Sequence, residues 1–129
     1  MIKKNTALRN KQLNDSLAVF NGGTLEIRTG AQPASANNAA TGTLLVTINI
    51  PNPAFSAASG GVASKNGTWS AVASATGVAG WARMKSSDGT YVRDFSVGES
   101  GADLIIDDDN VTSGTTVTVV TLNITADGA

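Results

Sequence analysis

Residues 80–98 read GWARMKSSDGTYVRDFSVG, and the fold follows from how this stretch pairs with itself. Two runs of β-favouring residues flank Ser87-Asp88-Gly89-Thr90, and Asp-Gly between such runs is a hairpin signal. With Asp88-Gly89 as a two-residue loop, Arg83 lies opposite Asp94, whereas a slip of one residue would set Arg83 against Arg93. Cross-strand charge therefore selects the first register. That register puts Trp81 on one face and Ala82, Met84, Tyr91 and Phe95 on the other. Both faces carry large apolar groups, so each needs a cover: a second sheet, a helix, or another subunit.

Upstream, Gly42 to Phe55 reads GTLLVTINIPNPAF. Leu44, Val46, Ile48 and Ile50 alternate with Leu45, Thr47 and Asn49, which is the period of a strand. Pro51 cannot donate to a ladder and Pro53 restricts Asn52, so the strand must stop there and aim Phe55 in a fixed direction. Thr24 to Arg28 alternates in the same way. Lys65-Asn66-Gly67-Thr68 reads as a second hairpin, with a type I′ turn between a short strand near Val62 and one through Trp69 and Val72. The run Gly30 to Gly42 is a polar loop of small residues.

Toward the C-terminus, Leu104 to Ile106 is a short strand and Asp107-Asp108-Asp109-Asn110 a turn. Thr115 to Thr125 is the longest strand. Its apolar pattern changes phase at Val119-Val120, which predicts a β-bulge or a crossing between sheets.

The chain begins differently. Leu13, Leu17 and Phe20 fall at i, i+4 and i+7, predicting a helix from Thr6 to Phe20 that ends at Asn21-Gly22-Gly23. Its apolar stripe is narrow, so it must dock on something to persist. The expected architecture is mainly β: a small antiparallel β-sandwich over residues 23–129, preceded by a basic helix or arm over residues 1–22.

Composition limits the chemistry. The 129 residues hold no Cys and no His, and 15% are charged, with a net charge of −1. Ser-His and Cys-His pairs are therefore impossible, and the commonest general base and metal ligand are missing. Gly98-Glu99-Ser100-Gly101-Ala102 departs from a nucleophile elbow at its last position. The acidic turn Asp107, Asp108, Asp109 lacks the spacing of a calcium loop and reads as solvated. Three N-x-T triplets, at Asn66, Asn110 and Asn123, read as Thr-rich strand composition, and Trp69 and Trp81 as core or interface packing. No enzyme activity, cofactor or metal is expected.

Charge is uneven along the chain. Residues 1–65 carry a net +4 and residues 66–129 a net −5. This suits a basic helix lying on the chain's own acidic half, or head-to-tail contact between copies; nucleic acid is not an expected partner. The start MIKKN is followed by polar residues rather than an apolar run, and no stretch has the length of a membrane span.

The motifs GTLEIRTG, GTLLVTINIPNPAF, GWARMKSSDGTYVRDFSVG and ADLIIDDDNVTSGTTVTV, taken in order from Thr6 to Thr125, resemble a family of small β-rich structural proteins of tailed bacteriophages and prophages. Members usually carry an aromatic where this chain has Ala82. The resemblance implies a virion component without catalytic residues, made in the host bacterial cytoplasm and present in many copies. Its expected role is capsid decoration or cement, through contacts with the major capsid protein or sister copies as a homo-oligomer. A tail or head-to-tail connector component is the alternative, and a receptor- or carbohydrate-binding module using Trp69 and Tyr91 is a third reading. The residues expected to meet partners are Leu13, Leu17, Phe20, Phe55, Trp81 and Tyr91.

Overall fold

A computed structural model describes residues Met1–Ala129. The Asn5 side chain accepts a hydrogen bond from the Leu8 amide at 2.9 Å, which caps α1 (Thr6–Leu17). The last three residues of the expected helix, Ala18–Phe20, wind more tightly as a 3-10 turn. Gly22, with φ +70°, then releases the chain into the first strand. No helix is long and apolar enough to cross a membrane.

Nine strands follow: β1 (Thr24–Thr29), β2 (Leu44–Asn49), β3 (Val62–Ser64), β4 (Ser70–Val72), β5 (Gly77–Lys85), β6 (Val92–Gly98), β7 (Leu104–Ile106), β8 (Asn110–Val111) and β9 (Thr116–Thr125). They form one sheet in the order β2-β1-β5-β6-β7-β9-β3, with β4 also on β9 and β8 on β5. All pairs are antiparallel except β6 with β7. The sheet curls until its ends meet: the Ser74 amide, just past β4, donates to the Leu45 carbonyl of β2 at 2.8 Å. The two layers expected of a sandwich are thus opposing halves of one curled sheet around a single core.

That core runs through Leu25 and Ile27 of β1, Val46 and Ile48 of β2, Met84, Phe95 and Leu104, and Val117, Val119, Leu122 and Ile124 of β9. Leu13, Leu17 and Phe20 belong to the same cluster. The helix is therefore a wall of the body rather than an arm, and Gly23 marks no boundary in packing.

The β5–β6 register is the expected one, with Arg83 opposite Asp94 and Ala82 opposite Phe95. The connecting turn differs. Only Gly89 has positive φ, and its amide donates to the Ser86 carbonyl at 2.9 Å. A type I′ turn would need Asp88 in the left-handed region as well. Instead Asp88 stays right-handed and its carboxylate accepts from Ser86 Oγ at 2.7 Å and the Thr90 amide at 3.0 Å.

The second expected hairpin is not formed. β3 and β4 do not pair with each other; both lie along β9, Val62 opposite Thr125 and Ser70 opposite Thr118. They are two pieces of one interrupted strand, and Asn66-Gly67 sits in the interruption. The I′-type connection in this region is Gly60-Gly61, where both φ values are positive (62° and 76°) and Ser59 and Val62 exchange two hydrogen bonds. Glycine-glycine meets the backbone demand that the Asn-Gly signal was expected to meet.

The phase change in β9 is a bulge. Thr121 pairs with Ile105 and Val119 with Ile106, leaving Val120 unopposed and exposed. Both halves of β9 thereby point their apolar residues into the same core.

Candidate functional site

Leu13, Leu17 and Phe55, from distant parts of the sequence, come together along a shallow groove of about 140 Å³, with Pro53 and Ala63 completing its walls. Each is buried within this chain, as is Phe20. Phe55 stands edge-on to Trp69, ring centres 5.5 Å apart. The strand stop after Ile50 does aim Phe55, and it aims it into the chain's own core.

The helix is held there by polar clamps that its apolar stripe did not announce. Asn10, Asn14 and Asn21 accept hydrogen bonds from the amides of Gly61, Ala58 and Ala54, each at 2.8 Å. Arg9, buried, donates from Nε and Nη2 to the Ala126 carbonyl at 3.3 and 2.9 Å. Gly61 packs against that guanidinium so closely that any side chain would collide with it. Lys4 pairs with Asp127 at 2.8 Å, and its amide donates to the Gly128 carbonyl. The spacing of Asn10 and Asn14, i to i+4 on one helix face, is the signal that could have marked these clamps in advance. The basic segment thus lies on residues 126–129 of its own chain, where Lys4 meets Asp127 while Lys3 and Arg9 bond backbone carbonyls and Lys11 pairs with Asp15 within the helix.

Trp81 is fully buried on the outer face of the sheet, apart from the main core. Arg83 covers it at 5.3 Å from the ring centre, and Arg83 in turn pairs with Asp94. Beside them Glu26 joins Arg28 and Lys85 at 3.4 and 3.2 Å. This face is therefore covered by an ion-pair lattice of the chain itself. The indole Nε1 of Trp81 and the Nε of Arg28 are buried without a hydrogen-bond partner. Of the six residues expected to meet partners, Tyr91 alone is exposed. Trp69 is also fully buried, and its Nε1 donates to the Asn66 carbonyl at 2.9 Å, so it offers no ring to a sugar.

The acidic turn is organised as a set of backbone caps. Asp107 Oδ1 accepts from the amides of Asp108 and Thr118, both at 3.1 Å, and Asp108 Oδ1 from the Asn110 amide at 2.9 Å. Carboxylate oxygens of Glu99, Asp108 and Asp109 lie within 4.8 Å of one another. Asp88 and Asp127 are held below the usual carboxylate range, Asp88 chiefly by the Ser86 hydroxyl and Asp127 by the Lys4 ammonium.

No family model, curated protein or solved structure matches this chain.

Proposed function

We propose that this chain is a structural component of a tailed-bacteriophage particle, made in the host bacterial cytoplasm and bound to the outside of the head as a decoration or cement subunit. The motif order along nearly the whole chain supports this reading. The observation that supports its structural character is the employment of the acids. All ten carboxylates accept a hydrogen bond or form an ion pair within the chain. In a chain without His or Cys, carboxylates are the strongest candidates for acid–base work, and here they tie turns and strands together. Such a body suits repeated protein–protein contact, each standard interface burying about 1,600 Å² in total.

The decisive measurement is copy number in purified particles together with the melting temperature of the shell. A cement subunit is present in proportion to the major capsid protein, and shells lacking it melt earlier. A small ring's worth of copies would move the assignment to the tail or head-to-tail connector. Absence from particles would overturn the proposal.

A further inference from the structure

The strand β7 is only three residues long, and its shortness leaves the sheet open beside it. β6 pairs with β7 only at Val97 and Gly98, and β7 reaches β9 only as far as Leu122. Earlier in β6 and later in β9, no strand occupies the position between them. A cleft of about 330 Å³ lies there, lined by Arg93, Asp94 and Phe95 on one side, Asn123, Ile124 and Thr125 on the other, and Asp103, just before β7.

Backbone direction makes the cleft a slot for a strand. On β6, the Ser96 amide points away from β5, to Asp103 Oδ2 at 3.1 Å, so Asp94, two residues earlier, turns its amide and carbonyl the same way. On β9, the Leu122 carbonyl accepts from the Lys65 amide and the Ala126 amide donates to the Gly61 carbonyl, both on the β3 side. Asn123 and Thr125 therefore direct their backbone groups into the slot. Both rims present free ladder groups, with Phe95 and Ile124 buried at the floor.

Besides Asp94, which is paired with Arg83, two charged side chains border the slot: Asp103 at the β7 end, whose carboxylate accepts from the Ser96 amide, and Arg93 at the far end, which selects the occupant there. Arg93 is exposed, takes part in none of the five ion pairs, and lies with its guanidinium 6.0 Å from the Phe95 ring centre. Arg93 and Phe95 are two residues apart on one face of β6. A guest strand beside them would place one side chain over Phe95 and Ile124 and another, two positions away, against Arg93.

We infer that this slot accepts an extended segment of a partner protein by β-strand addition, with an apolar residue and a carboxylate two positions apart on its inward face. The inference stands on the slot alone and does not depend on the phage reading.

The probe is the peptide acetyl-Thr-Asp-Thr-Val-Thr-amide, titrated into the full chain and followed by amide chemical shifts and hydrogen exchange. In the free protein the Asp94, Asn123 and Thr125 amides exchange fast while those of Phe95 and Ile124 are protected; protection of all five would overturn the inference. On titration the Asp94, Asn123 and Thr125 amides shift and slow. Replacing Asp by Lys in the peptide, or Arg93→Glu in the protein, weakens binding by about tenfold or more, and the two changes together restore it. Equal binding of both peptides, or shifts confined to other regions, rejects the slot. Because Arg93 is exposed and unpaired, Arg93→Glu leaves the fold intact, which the unchanged spectrum of β1 and β2 verifies.

Discussion

Arg83 and Asp94 meet across β5 and β6 through two hydrogen bonds, Nε to Oδ1 at 2.9 Å and Nη2 to Oδ2 at 3.1 Å, and both side chains are more than nine-tenths buried. Removing one partner strands a buried charge. Asp94→Ala or Arg83→Ala is expected to cost about 3–5 kcal/mol in chemical denaturation. The double replacement Arg83→Met with Asp94→Leu is expected to lose far less than the sum, because no charge is then left alone.

The two tryptophans differ in their polar atom. Trp69 Nε1 donates to the Asn66 carbonyl, while Trp81 Nε1 is buried without a partner. Trp69→Phe therefore breaks a hydrogen bond and Trp81→Phe does not. The former is expected to cost about 1 kcal/mol more in denaturant midpoints. Both indoles are expected to be shielded from acrylamide quenching in the isolated chain, since each is fully buried.

Docking of α1 rests on Arg9 and Gly61. Arg9→Ala removes two donors to Ala126 and is expected to cost about 1.5–3 kcal/mol. Gly61→Ala acts on the same contact from the other side, through its positive φ and the collision with the guanidinium. In both variants, hydrogen exchange should quicken in α1 more than in β1 and β5.

Acid should loosen the same end of the molecule. The Asp127 carboxyl is depressed in the folded chain by Lys4, so the unfolded chain binds its proton first as pH falls. Its contribution is complete above the ordinary carboxylate value of about 3.9 and is lost as pH drops through the lower folded value. Asp88 follows the same sign in the β5–β6 turn. Asp127→Asn is expected to flatten the acid limb between pH 5 and pH 2 by lowering stability at neutral pH, with the variant and the parent chain converging at the acid end.

Periodicity and charge pairing made much of this fold legible in advance. The β5–β6 register, the bulge at Val120 and the Leu13, Leu17, Phe20 stripe all follow from residues that are neighbours in sequence or across one turn. The Asn66-Gly67 signal misled because a turn-prone pair serves equally well inside an interrupted strand, and what decided between the two was β9, more than forty residues away. The partner-facing residues were the least legible. Their apolar character is a local fact, but whether Phe55 or Trp81 is left uncovered depends on how far the sheet curls and on an arginine lid. The strand slot was likewise invisible, since it arises from the ending of β7 and not from any motif.

Around Val120 the strands keep unequal step. Passing from β7 to β9 one residue is gained, and from β9 to the β3–β4 line another, since Lys65 faces Leu122 while Trp69 faces Val119. Adjacent lanes of a track lengthen in this way around a corner, and here the surplus is what lets a ribbon of nearly constant width turn tightly enough to close. A deletion at either site would turn every following side chain of that strand inside out, so the curvature of this corner is written in two extra residues.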